Sequence, residues 1–140
     1  MTYIARCSAA LVNDRLSALT RALDGATPPG KAKVYGTPMP STGGASTSAT
    51  LLAEFTFAKP SCLSVSGGVL SIAAPADVLG LATGVAEWVR FTDGAGVFVM
   101  DLNGGGLASG AAAIVVSDAG TNLVYLGGTV SLLATTLTET

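Results

Sequence analysis

The chain reads as mainly β: a β-sandwich of the jelly-roll or immunoglobulin-like kind, of about seven to eight strands, preceded by one N-terminal amphipathic α-helix. Three observations carry this. Short runs suited to strands recur from Lys31 onward, most of them closed by glycine-rich turns. Helical periodicity stands out in one stretch only, near the N-terminus. The length of 140 residues suits a single domain, since domains most often run to about 100–150 residues. Residues 1–30 are expected to form the helical segment and residues 31–140 the sandwich.

The helix is predicted by Val12, Leu16, Leu19 and Leu23, spaced i, i+4, i+7, i+11 and therefore on one stripe. Asn13, Arg15, Ser17, Thr20 and Arg21 take the other faces. Ser8 or Asn13 can cap its start, Gly25 can end it, and Pro28-Pro29 blocks continuation. This makes about three turns lying against an apolar surface.

Strands follow. Lys31–Tyr35 is short and runs into a loop, Pro38 to Ser48, whose glycine and hydroxyl content predicts flexibility. Thr50–Ala58 alternates, with Leu51, Ala53, Phe55 and Phe57 on one face and Leu52, Glu54 and Thr56 on the other. Lys59-Pro60 ends it, and Val69–Ala73 follows the Gly67-Gly68 turn. Gly84–Thr92 has the strongest pattern: Val85, Val89 and Phe91 face one way, Ala86, Trp88 and Arg90 the other. Asp93-Gly94-Ala95-Gly96 predicts a tight turn into a hairpin partner, Val97–Asp101. Ala111–Ser117, Leu123–Leu126 and Thr129–Leu137 complete the set. The pattern fits a jelly roll and an immunoglobulin-like sandwich equally.

Charge is scarce. Only 11% of residues are charged, against about 25% in a typical soluble protein, and such surfaces favour contact with partners. The net charge of −2 gives no reason to expect nucleic acid. Its distribution is uneven, because Arg6, Arg15, Arg21, Lys31 and Lys33 outnumber Asp14 and Asp24 before residue 34, while the remainder is acidic. That bias reads either as a solvated helix face or as a basic segment that docks on an acidic protein surface. The apolar start is short and broken by Asn13-Asp14-Arg15, so it does not read as a secretory signal. The uncharged stretch Ala119–Thr138 is interrupted by turn residues and reads as strands, not as a membrane helix. Synthesis in a cytoplasm, without export, is the expectation.

The catalytic inventory is thin. There is no histidine, so Ser-His-Asp and Cys-His arrangements and Cys/His zinc sites are excluded. Cys7 and Cys62 lie outside any CxxC pair and read as small buried apolar groups, and their spacing leaves open whether they pair. Glu54, Asp77, Glu87, Asp93, Asp101 and Asp118 are scattered, several beside turn glycines, which suits turn chemistry better than paired acid–base work. Gly104-Gly105-Gly106 lacks the third glycine of a dinucleotide loop, since position 109 is Ser109, and reads as a flexible connection. Trp88, two residues from Arg90, reads as a core residue, with a sugar or partner contact as the alternative. No enzyme and no cofactor is expected.

The order of segments resembles small virion proteins of tailed bacteriophages. The matching stretches are "LVNDRLSALTRALDG", "KAKVYGTPMPSTGG", "TLLAEFTFAKPS", "GGVLSIAAP", "GVAEWVRFTDGAGVFVMDL" and "TVSLLATTLTET", which together span most of residues 11 to 138. Size and composition are similar to the capsid cement (decoration) proteins of the short-tailed Bordetella phage type. The resemblance implies a homodimeric jelly roll on the outside of an icosahedral capsid, stabilising contacts between subunits of the major capsid protein. It implies no catalytic residues, no direct contact with nucleic acid and no membrane.

Candidate capsid contacts are Arg6, Arg15, Arg21, Lys31 and Lys33 of the basic segment, with Pro38 and Pro40 of the following loop. The alternative is a carbohydrate- or receptor-binding sandwich of a fibre or tail, with Trp88 and Tyr125 stacking on sugars. A small carboxylate enzyme is a third reading, requiring two acids about 5–10 Å apart across a cleft.

Overall fold

A computed structural model describes residues 6–139. One helix, α1 (Ala9–Leu23), precedes twelve strands: β1 (Lys31–Tyr35), β2 (Leu51–Thr56), β3 (Cys62–Ser66), β4 (Val69–Ile72), β5 (Val78–Leu79), β6 (Gly84–Val85), β7 (Trp88–Thr92), β8 (Phe98–Gly105), β9 (Ala113–Ser117), β10 (Leu123–Val124), β11 (Thr129–Leu132) and β12 (Thr135–Thr138). The mainly β fold with one N-terminal helix is as expected. Seven strands form one sheet in the order β2-β1-β7-β8-β9-β11-β5, and the smaller sheets are β12-β4-β3 and β10-β6. All pairings between these strands are antiparallel except β8 with β9. The large sheet curls until its edges nearly meet, where the Leu81 N–H, two residues beyond β5, donates to the Leu52 carbonyl on β2 (2.8 Å).

The strand count exceeds the expectation because long segments change partner midway. Ala86 N–H donates to Asn122 O (2.9 Å), while the next residue, Glu87, donates to Tyr35 O (2.9 Å). Gly84–Thr92 is therefore two strands, β6 on β10 and β7 between β1 and β8. Thr129–Leu137 divides in the same way, with β11 in the large sheet and β12 in the small one. Two strands are additional: β3, whose serines weaken the apolar alternation, and β5, only two residues long. Gly104 and Gly105 are not a loose connection but the end of β8, paired with Ala113 and Ile114.

The core lies between the sheets, with the helix packed on β3 and β4. Ala32, Val34, Phe55, Val89, Phe91, Val115 and Leu132 from the large sheet meet Leu70 and Ile72 from β4 and Val12, Leu16 and Leu23 from α1. Phe57 meets Phe91 edge-on at 5.1 Å between centroids. Face assignments change at two places. Val85 is exposed and Ala86 lies in the core, the reverse of the sides expected, because the chain changes partner between Ala86 and Glu87. The other place is on β2. Val34 pairs with Ala53 and Tyr35 with Leu51, so Leu52 is an unpaired bulge residue and is buried beside Ala53 instead of facing outward with Glu54.

Of the two candidate caps, Ser8 takes the role, its Oγ accepting from the Leu11 N–H (3.2 Å). Asn13 instead accepts from the Gly68 N–H (3.0 Å), pinning the helix to the β3–β4 turn. At the other end Asp24 accepts from the Ser61 N–H (3.1 and 3.2 Å to its two oxygens). The helix is thus held at several points along its length, besides burying its apolar stripe.

Candidate functional site

Trp88 and Arg90 stand on the face of β7 opposite Val89 and Phe91, as alternation requires. That outer face is not bare. The segment between β1 and β2 folds back over it as a strap, so Trp88 is fully buried outside the main core cluster. Its indole N–H donates to Gly36 O (2.8 Å), and Tyr35 stacks on its ring at 4.5 Å with planes 16° apart.

Arg90 is the centre of the strap's anchorage. Its Nε donates to Asp101 Oδ1 (2.8 Å) and its Nη2 to Asp101 Oδ2 (3.0 Å), the two-pronged geometry that guanidinium and carboxylate favour. Nη2 also donates to Ala45 O (2.8 Å), and Asp101 Oδ2 accepts from the Gly44 N–H (3.1 Å). The guanidinium carbon lies 5.2 Å from the Trp88 ring centroid and 5.4 Å from that of Phe98. Phe98 in turn lies against Gly43 and Gly44, where any side chain would crowd the ring. The segment expected to be flexible is therefore tied down by a charged pair, a stacked aromatic pair and backbone contacts.

These groups set two pKa directions. Burial raises the Tyr35 hydroxyl above its ordinary value; Arg90 opposes that rise, while Glu54 and Asp101 add to it. The hydrogen bond to Asp101 raises the Arg90 guanidinium further above its already high value.

The candidate contact residues do not form one patch. Lys31 and Lys33 alternate with the buried Ala32 and Val34, so they share the outer face of β1 with the strap, away from the core on which the helix packs. Lys31 pairs with Glu54 at 2.8 Å, and Lys33 lies in register between Glu54 and Arg90. Arg15 pairs with Glu139 and also donates to Cys7 Sγ (3.2 Å). Arg21 donates to Asp14 O on its own helix (3.4 Å), and Arg6 is exposed. Pro38 is exposed and Pro40 half-buried on the strap, with Met39 exposed between them. Pairing by Glu54 and Glu139, both distant in sequence, breaks up the basic bias visible along the chain.

Several acids have structural partners: Asp24 ties the helix end, Glu54 and Asp101 pair with bases, and Asp93 accepts from the Ala95 and Val97 N–H groups (both 2.9 Å) to shape the β7–β8 turn. Among the described residues no group of three or more His, Cys, Asp or Glu is placed to hold a metal ion. No helix there is long and apolar enough to cross a membrane. Cys7 and Cys62 are free thiols, but not the buried groups expected: Cys7 precedes the helix and is exposed, and Cys62 at the start of β3 is half-buried. Because Trp88 is buried, it does not join Tyr125 in an exposed sugar platform. Pro38 and Pro40 mark the strap in the sequence, but its anchorage was missed because Arg90 and Asp101 are over forty residues from it; the Trp88/Arg90 spacing on one strand face is the signal that could have found it.

Comparisons of the chain with protein-family models, with curated proteins and with solved structures found no match.

Proposed function

We propose that this chain is a structural virion protein that binds the outer surface of an icosahedral capsid and stabilises contacts between major capsid protein subunits, acting as a homodimer. The observation that carries the reading is the anchored strap. A segment that already holds its shape spends little ordering entropy on docking, so Pro38, Met39 and Pro40 can serve as a preformed contact. The low proportion of charged residues suits broad contact with protein, and a lattice multiplies weak contacts into stable attachment. The order of segments described above supports a capsid as the lattice.

The test is co-sedimentation of the purified protein with shells of the major capsid protein. Met39→Asp is expected to weaken binding by at least about tenfold without loss of fold, since the side chain is exposed. The helix is probed separately by charge reversal, Arg21→Glu. Unchanged binding in that variant removes the helix face from the contact surface, and absence of binding by the unaltered protein refutes the reading.

A further inference from the structure

From Val78 to Ala86 the chain alternates strictly. Val78, Gly80, Ala82, Gly84 and Ala86 turn inward, while Leu79, Leu81, Thr83 and Val85 turn outward and are exposed. Apolar residues on both faces are the mark of a strand covered on both sides, yet here only one side is covered. Tyr125 and Leu126, just beyond β10, are exposed as well. Gly80 bridges Leu126, and Leu126 N–H donates to Thr83 Oγ1 (3.1 Å), which brings the two segments side by side. The result is an apolar stripe of Leu79, Leu81, Val85, Tyr125 and Leu126, whose exposures run from 43% at Tyr125 to 69% at Leu126.

No charged residue lies between Asp77 and Glu87, or between Asp118 and Glu139. The stripe is therefore neutral, with Asp118 beside Gly128 and Asp77 next to Val78 at its rim. We infer that this stripe is the contact between two copies of the chain. A two-fold pairing presents the same surface to itself, and a neutral apolar row is its own complement, burying no unpaired charge. Five side chains so exposed offer on the order of 400 Å², typical of the largest patch on a monomer but only about half of what each partner gives a standard interface. The pairing is accordingly weak and reversible, and salt strengthens it by screening the rim carboxylates. The inference supplies the surface for the homodimer proposed above and rests on that part of the reading; capsid binding is measured separately, so either can fail alone.

Sedimentation equilibrium of the full chain from about 1 µM to about 1 mM, at low and high salt, tests it. The expected result is a monomer–dimer equilibrium that Leu126→Asp and Leu79→Asp each weaken at least about tenfold, while Leu63→Asp, at an exposed position on β3, leaves it unchanged. Amide exchange of the unaltered protein gives a readout independent of the variants' folding: protection of residues 79–85 and 125–126 rises with protein concentration. A chain that stays monomeric throughout, or a dimer that persists undiminished in folded Leu126→Asp and Leu79→Asp, overturns the inference.

Discussion

Arg90 on β7 and Asp101 on β8 face each other in register and meet through two hydrogen bonds of 2.8 and 3.0 Å, with 13% and 3% of their side chains exposed. The pair does more than join neighbouring strands, because the same two side chains hold Gly44 and Ala45 of the strap. Removing one partner of a buried pair leaves a desolvated charge behind and typically costs about 3–5 kcal/mol. Arg90→Ala is expected to lower stability by that order in urea unfolding. Replacing both partners, as Arg90→Met with Asp101→Leu, is expected to recover part of the loss, because no charge is then stranded. A double-mutant cycle measures the coupling.

Tyr35 makes stability depend on alkaline pH. Its folded-state pKa is raised, chiefly by burial, so the folded chain holds this proton where the unfolded chain has released it. The contribution is fully present below the ordinary tyrosine value and is lost as pH climbs through the raised one. Spectroscopic titration is expected to show a tyrosinate component above the ordinary value, and Tyr35→Phe removes it.

The helix derives its stability mainly from its buried stripe. Leu23 is fully buried against the strands, so Leu23→Ala is expected to cost about 2–5 kcal/mol. The Ser8 cap is exposed, and Ser8→Ala is expected to cost about 1 kcal/mol. Denaturant midpoints of the two variants check the ranking.

Gly80 sits where two backbones touch. A Cβ there would collide with the Tyr125 carbonyl oxygen and press on Val124, neither of which is a flexible side-chain tip. Gly80→Ala is expected to destabilise by about 1–3 kcal/mol or more, and to disturb the pairing of Gly80 with Leu126. Amide exchange at Gly80 and Gly127, which donate to Gly128 O and Gly80 O, reads that pairing directly.

Features with a local cause were legible in the chain. The helix follows from the spacing of Val12, Leu16, Leu19 and Leu23, and the β7–β8 hairpin from Asp93, whose carboxylate folds the turn that follows it. Features set by distant partners were not. Nothing near Ala86 announces that the chain leaves Asn122 for Tyr35 at the next residue, and nothing near Leu52 announces the bulge that buries it. The candidate site divides in the same way. Pro38 and Pro40 mark a loop, but its anchorage depends on Arg90 and Asp101, far along the chain. The basic bias of Arg15 and Lys31 is visible in sequence, whereas its pairing by Glu139 and Glu54 is a product of folding.

Electron microscopy of virions with and without this protein is the decisive measurement for the proposed role on the outside of a capsid. Density is expected to disappear from the outer shell at positions bridging neighbouring capsid subunits. Loss of density from the tail or connector, with the shell unchanged, would contradict it.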